Sequence, residues 1–169
     1  MAKFSDLIKY FQGLAETHID ILHSEQEKHF FRFEIDEVLA GINRSDVNFP
    51  MLILEGYNFG YTDNKSDNLL KNRRGAFVLL DHISDPTDHN ELHDVWEELE
   101  VIGDDILLKI KADKRNPNTP AVRDFDFASA EASLIMNEVG STAGIRYTFT
   151  VSGNMPNDPD PGKWITESE

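Results

Sequence analysis

The sequence predicts an α+β fold, in which an antiparallel or mixed sheet of long hairpins packs against a long amphipathic helix and an N-terminal helix. Three observations predict it. Two pairs of stretches alternate apolar and polar residues over strand lengths, one pair before the middle of the chain and one near its end. Residues 88–114 carry an apolar stripe at three- and four-residue steps, and residues 4–23 carry a similar stripe.

The N-terminal stripe predicts the first helix, over residues 4–23, with Ser5 or Asp6 at its start. A short strand over residues 30–35 and a helical turn over residues 36–43 follow. The residues of the stripe are Phe4, Leu7, Ile8, Phe11, Leu14, His18 and Leu22.

The first long hairpin is predicted from residues 48–63 and 69–83, joined by a polar segment at 63–68. Leu52 and Leu54 fall on the face opposite the other apolar residues of the first strand. We therefore expect that strand to be buried on both faces early and on one face later. The residues of the other face are Met51, Ile53, Tyr57, Phe59 and Tyr61.

The helix over residues 88–114 is the strongest helical signal in the chain. Asp88 and Glu91 have the spacing of a capping box, with Asp in place of Ser or Thr. Acidic residues at its start and basic residues at its end complement the helix dipole. Its apolar stripe consists of Leu92, Trp96, Leu99, Ile102, Ile106 and Ile110.

The second hairpin is predicted from residues 121–137 and 145–153, with a turn over residues 140–144. The last strand alternates most regularly, because its odd-numbered positions from Ile145 to Val151 are apolar and its even-numbered positions are polar. We expect one domain over residues 1–153, followed by an extended C-terminal tail over residues 154–169 that is rich in Pro and Asp.

Composition narrows the possible functions. The chain has 169 residues, no Cys and a formal net charge of -15, from 31 acidic and 16 basic residues. The absence of Cys excludes disulfides, thiolate catalysis and Cys-based zinc sites. No apolar run is long enough for a membrane span, so we expect no membrane partner and synthesis in the cytoplasm. We expect so acidic a surface to repel nucleic acid. Three uses of such a surface remain open, namely lining a DNA channel, mimicking the charge of DNA, or solubility alone.

Two histidines one helical turn apart, His89 and His93, invite a metal interpretation, with Glu97 a turn further. The zinc-protease pattern needs Glu directly after the first His, and Asn90 stands there. Structural or solvated histidines are the alternative. The chain also lacks the nucleophile-elbow, P-loop and dinucleotide-binding patterns. The sequence therefore predicts no enzyme activity, no catalytic residue, no cofactor and no metal site.

Lys71, Arg73 and Arg74 form a basic cluster in this acidic chain. They are a solvated strand start, a nucleic-acid contact, or half of a subunit contact. Nucleic acid is disfavoured, because three basic residues are few in a chain with a net charge of -15 and no aromatic interleaving suggests stacking. In a subunit contact they would meet the base-free segment 85–105 of another copy. The residues assigned to that contact are Lys71, Arg73, Arg74, Glu91, Asp94, Glu97 and Glu98, and the tail adds Trp164 and Ile165 as apolar docking residues.

The order of elements resembles that of the tail-terminator, or tail-completion, proteins of tailed bacteriophages and of related head–tail connection proteins. The resemblance rests on the hairpin "FPMLILEGYNFGYTD"…"GAFVLLDHI", the helix over residues 88–114 and the closing "GSTAGIRYTFTVSG". It covers most of residues 1–153. The strand over residues 30–35 and the C-terminal tail depart from the pattern.

The resemblance implies a non-enzymatic virion protein whose copies form a ring, typically a hexamer. Such a ring joins the tail tube to the neck, contacts other tail and neck proteins, and lets DNA pass through its lumen without specific binding. The expected location is the virion tail or neck, after synthesis in the host cytoplasm. An acidic protein that mimics DNA or masks a basic partner is the alternative from another functional class.

Overall fold

A computed structural model of the chain describes residues 3–32, 47–63, 69–137, 141–156 and 158–164. Within these residues the chain forms a six-stranded mixed sheet and two α-helices, which confirms the predicted α+β class. The elements are α1 (Phe4–Thr17), β1 (Phe30–Arg32), β2 (Met51–Leu54), β3 (Asn58–Asp63), β4 (Leu69–His82), α2 (His89–Asp113), β5 (Phe125–Asn137) and β6 (Thr142–Asn154), followed by a 3-10 turn (Pro161–Lys163). The strands lie in the order β1-β2-β4-β6-β5, and β3 also pairs with β4.

Helix α1 ends six residues before the predicted end at residue 23. His18 leaves the helix with an extended backbone, and Leu22 has a left-handed φ of 51°. Because the chain turns there, Ile21 is buried while Leu22, part of the predicted stripe, is 55% exposed. At the other end, the carboxylate of Asp6 accepts a hydrogen bond from the Lys3 backbone N–H (2.8 Å) and caps the helix.

The short strand predicted over residues 30–35 is β1, which pairs in parallel with β2. Residues 33–35 of that prediction lie outside the described residues, and so does the helical turn predicted over residues 36–43.

The strand predicted over residues 48–63 is two strands, β2 and β3, separated by residues 55–57. At this break the guanidinium of Arg146 in β6 donates hydrogen bonds to both carboxylate oxygens of Glu55, the shortest at 2.6 Å. Strand β2 is buried on both faces, as predicted. The prediction that the later part is buried on one face is wrong, because every residue of β3 is exposed.

Strands β4 and β6 form the centre of the sheet and pair over their whole lengths, from Leu70↔Asn154 to His82↔Thr142. Both helices cover one face, and the main apolar core lies between them and this face. We call it the helix face. The predicted inward residues of β6 are buried in that core, and they are Ile145, Tyr147, Phe149 and Val151. A smaller cluster on the opposite face contains Met51, Ile53, Val78 and Leu80.

Helix α2 agrees with the prediction within one residue at each end. The Asp88 carboxylate accepts from the backbone N–H groups of Asn90 (2.9 Å) and Glu91 (3.4 Å), as an N-cap does. The returning half of the predicted capping box differs. The Glu91 carboxylate accepts instead from the backbone N–H groups of Ser84 (2.7 Å) and Asp85 (3.0 Å), so it holds the loop that enters the helix.

Strand β5 begins at Phe125 rather than at residue 121, because residues 121–124 form turns that bury Ala121 and Val122 in the core. Strand β6 begins at Thr142, three residues before the predicted start, and Ser141 turns into it with a φ of 47°. Among the strands that the structure describes, β5 pairs only with β6, with an irregularity between residues 126 and 131. It is therefore an edge strand of the sheet. The division into a domain over residues 1–153 and a tail stays a prediction.

Candidate functional site

The hairpin formed by β3 and residues 69–74 of β4 is one candidate surface, and we call it the arm. Its cross-strand pairs include Phe59↔Arg73 and Tyr61↔Lys71, so these four side chains share the helix face. The Lys71 ammonium lies 4.2 Å from the centre of the Phe59 ring and 5.6 Å from that of Tyr61. Cations at such distances from aromatic rings are stabilised by the ring quadrupole.

Aromatic and basic residues are therefore interleaved in space, although they are not interleaved in sequence. The register of the hairpin brings β3 beside the basic cluster, and the Arg73 guanidinium also lies 5.5 Å from the Tyr57 ring. One ground of the sequence-based argument against nucleic acid, the missing aromatic interleaving, is therefore wrong, while the other ground, the small number of basic residues in a chain of net charge -15, is unaffected. The alternating pattern of residues 57–61 in a predicted hairpin indicated that aromatic side chains would lie near residues 71–73, although it did not give the register.

The predicted basic cluster is divided between the two faces of the sheet. Arg74 pairs with Asn58 and lies on the face opposite Lys71 and Arg73. On that opposite face Asn72 links three strands, since its amide donates to Thr62 (2.9 Å) and its carbonyl oxygen accepts from Ser152 (2.7 Å). This polar chain holds the arm to β6.

The arm exposes large apolar side chains to solvent. Phe59 is 55% exposed, Tyr61 is 54% exposed, and Leu69 at the arm's other strand is 38% exposed. Exposed aromatic residues grouped on one edge mark an interaction surface more often than scattered apolar residues do. The arm therefore presents aromatic rings and a cation at the β3 edge of the sheet.

A groove of about 320 Å³ lies at the other edge, between α2 and β5. Glu100 and Asp104 line it from the helix, and Leu134 lines it from the strand. The groove has no Lys or Arg among its lining residues, so its charge is opposite to that of the arm. We call it the acidic groove, and its full lining is Glu100, Asp104, Leu107, Ala130, Glu131, Ala132, Ser133, Leu134, Ile145 and Tyr147.

Tyr147 lies at the base of the acidic groove, and its hydroxyl packs against Gly103 of α2. Burial, together with the negative charges of Asp104 and Glu100, raises the pKa of Tyr147 to about 12. The phenol is therefore neutral near pH 7. Among the described residues its buried hydroxyl has no hydrogen-bond partner.

Strand β5 presents an exposed edge beside this groove. Leu134 is 59% exposed and Met136 is 45% exposed. The indole N–H of Trp96 donates to the Ile135 backbone carbonyl (3.3 Å), so one backbone group of the strand is already occupied. An open edge strand with apolar side chains is a template for pairing with another chain.

The acidic residues predicted for the subunit contact do not line this groove. Asp94, Glu97 and Glu98 are exposed elsewhere on α2. Glu91 is half-buried, and its hydrogen bonds from the Ser84 and Asp85 backbones lower the pKa of its carboxyl. The sequence indicated the acidic segment but not the two members, Glu100 and Asp104, that face β5, because helical phase relative to the sheet depends on packing.

Of the two tail residues that the sequence predicted to dock, Trp164 and Ile165, the structure describes one. Trp164 follows the 3-10 turn and is 68% exposed. Ile165 lies outside the described residues. The docking role predicted for this pair stays a prediction.

The histidines do not form a metal centre in the part of the chain that the structure describes, where no group of three or more possible ligands comes together. His89 and His93 are both exposed at the start of α2. His23 has a structural role, since its Nδ1 accepts from the backbone N–H groups of His29 (3.1 Å) and Phe30 (3.2 Å). Desolvation by burial is the largest cause of the lowered pKa of His23.

No model of a known protein family matches the chain, and no curated protein matches it. Within the described residues, neither helix is long and apolar enough to cross a membrane.

Proposed function

We propose that this chain is a non-enzymatic structural protein of a bacteriophage tail or neck, whose copies associate head-to-tail into a ring around the DNA path. The observation that carries the proposal is that, within the described part of the chain, one sheet has two edge strands of opposite character. The β3 edge presents aromatic rings and cations, and the β5 edge presents the acidic groove. Two different complementary surfaces on one chain suit a heterologous contact, which closes into a ring when the rotation permits.

The order of elements supports the phage assignment, because it resembles that of tail-terminator and head–tail connection proteins. The net charge of -15 agrees with a lumen through which DNA slides without binding. In that family the ring is typically a hexamer, and its neighbours are other tail and neck proteins. The proposal needs no cofactor and no catalytic residue.

Three measurements test this proposal. Light scattering and electron microscopy of the purified chain should reveal closed rings, and labelled antibody should locate the protein at the head–tail junction of phage particles. Because some ring subunits assemble only on a partner, the particle is the stricter test. A chain that is monomeric in solution and missing from the particle would overturn the proposal.

A second candidate is an acidic protein that mimics DNA or masks a basic partner. The observation that favours it is the row of exposed acids along α2, a helix of 25 residues. This candidate predicts a monomer or dimer that competes with DNA for a nuclease or another DNA-binding protein. Competition by the wild-type chain, lost when the exposed acids Asp94, Glu97 and Glu98 are changed to Gln, would favour it over the ring.

A further inference from the structure

We propose that the arm of one copy seats on the acidic groove of the next copy, so that β3 adds to the free edge of β5 and the sheets of neighbouring copies become continuous. This inference rests on the proposed head-to-tail ring and specifies the contact that builds it. The occupant of the groove is thus a second copy of this chain. Strand direction, side-chain facing and charge each support it.

Strand direction favours the pairing. Strand β3 is antiparallel to β4, β4 to β6, and β6 to β5. Three reversals make β3 and β5 of one chain run in opposite directions. When a neighbour is related by rotation about a ring axis, its β3 therefore lies antiparallel to β5, which is the more stable form of pairing.

Side-chain facing is consistent as well. In a continuous sheet the helix face of one copy joins the helix face of the next. Phe59 and Tyr61 lie on the helix face of the arm, and Leu134 lies on the helix face of β5, because its pairing partner Ile145 is in the main core. The exposed rings would thus cover the exposed Leu134 and remove apolar surface of both copies from water.

Electrostatic attraction indicates which side chains of the two copies would contact each other. The Lys71 side chain extends from β4 over the Phe59 ring, toward the open edge of the sheet. Glu100 and Asp104 line the groove above the edge that β3 would join. Seating the arm therefore brings the Lys71 ammonium to two carboxylates, in a site partly shielded from solvent where such attraction is stronger than on an open surface.

The contact requires an offset between neighbours. Strand β3 lies beside residues 69–74 of β4, whereas the groove lies beside Ile145 and Tyr147, which pair with Leu79 and Phe77 further along β4. The strands must therefore tilt relative to the ring axis, as in a barrel, so that rotation alone offsets the neighbour along the strand direction and aligns the two. The same offset moves its β1 past the end of β5. The segment of β5 before Ile135 accepts the arm, because Trp96 occupies the Ile135 carbonyl.

Charge reversal tests the contact in the full-length chain. Lys71→Glu, and separately the pair Glu100→Lys with Asp104→Lys, should each raise the dissociation constant between copies at least about tenfold at low salt. Combining all three changes in one chain should restore assembly. Asp94→Lys with Glu98→Lys is the matched control, since it changes the net charge equally on the same helix outside the groove. A control as harmful as the groove variant, or no recovery in the combined variant, would overturn the proposal.

Cysteine cross-linking gives a second measurement that keeps the charges intact. The chain has no Cys, so an introduced pair holds its only thiols. Tyr61→Cys with Leu134→Cys should form a ladder of covalent oligomers on mild oxidation, while each single variant should not. Tyr61→Cys with Val101→Cys is the control, because Val101 is exposed on α2 and does not line the groove.

The outcomes separate this contact from the ring itself. If wild-type rings form but neither cross-linking nor charge recovery follows, the contact is wrong and the proposed function stands. If no rings form in solution or in particles, the proposed function fails. Binding of a single-stranded oligonucleotide that depends on Lys71, with assembly unchanged by Lys71→Glu, would instead make the arm a nucleic-acid site and overturn the proposal.

Discussion

Gly103 of α2 leaves the space that the hydroxyl of Tyr147 fills. A Cβ at position 103 would overlap the hydroxyl oxygen and the adjoining ring carbon. The glycine therefore sets how closely α2 approaches β6, and with it the depth of the acidic groove, which Tyr147 also lines. A helix-breaking residue in the middle of the strongest helix is explained by this close approach.

Gly103→Ala should lower the free energy of unfolding by about 1–3 kcal/mol, because overpacking outweighs the gain in helix propensity. Gly13→Ala in α1 is the matched control, since an added Cβ there meets nothing within 4 Å. That change should be neutral or stabilise by up to about 1 kcal/mol. Urea titrations of both variants measure the difference, and equal effects would contradict the packing explanation.

Tyr147→Phe should leave stability unchanged or raise it slightly, because the lost hydroxyl is buried without a hydrogen-bond partner among the described residues. In combination with Gly103→Ala it should recover part of the loss, since the oxygen is removed but the ring stays. A double-mutant cycle from the same titrations measures this coupling. Strictly additive effects would show that the two groups do not compete for space.

Arg146→Ala should destabilise the chain by about 1–3 kcal/mol, since it leaves the Glu55 carboxylate, 13% exposed, without its bidentate partner. Arg123→Ala is the control, because its guanidinium is 58% exposed and pairs with Asp124 at 3.4 Å on the surface. There we expect less than about 1 kcal/mol. Thermal and urea unfolding of the two variants should rank them in this order.

Lowering the pH should weaken the fold through His23. Its pKa is lowered by burial and by nearby His29, although Glu16 and the Glu27 backbone oppose the shift. The folded state thus binds fewer protons at His23 than the unfolded state does. The stability that neutral His23 contributes is therefore complete above the usual pKa of 6.5 and is lost as the pH falls through the lowered pKa.

His23→Asn tests this, because the Asn side-chain oxygen can accept where Nδ1 does. The difference in unfolding free energy between this variant and the wild type should shrink as pH falls from about 8 to about 5. His93→Asn, at an exposed helical position, is the control for the loss of one imidazole. A difference that is constant over this range would contradict the role given to His23.

Asn72→Ala should loosen the arm, because it removes hydrogen bonds to both Thr62 and Ser152. Amide hydrogen exchange should rise in β3 and in the paired part of β4, while the centre of the sheet stays protected. Asn154→Ala, at the exposed end of β6, should leave the arm's exchange unchanged. Equal exchange in both variants would mean that the backbone ladder alone holds the arm.

Much of the fold was predictable, because a strand or helix with one buried face repeats its apolar residues at the period of that element. The alternation from Ile145 to Val151 and the stripe from Leu92 to Ile110 correspond to buried faces. Errors came where a local event interrupts the period. The chain turns at His18 after α1, and the ion pair of Glu55 with Arg146 accompanies the break between β2 and β3.

The candidate site was predicted only in part. The separation of charge, with a basic cluster and an acidic segment in one chain, could be read directly from the sequence. The contact between the Lys71 ammonium and the Phe59 ring could not be read from the sequence, because it depends on hairpin register. The sequence also did not show that Glu100 and Asp104, rather than Glu97 and Glu98, line the groove.

By itself the sequence determined the class of fold, the strand and helix faces that must be buried, and the separation of charge, because these follow from periodicity and composition. The tertiary structure alone decided that β3 and β5 lie at opposite edges, that Lys71 and Arg74 lie on opposite faces, and that Gly103 admits Tyr147. The physical reason is that register, strand order and helix phase are set by contacts between residues distant in sequence, which no local pattern encodes.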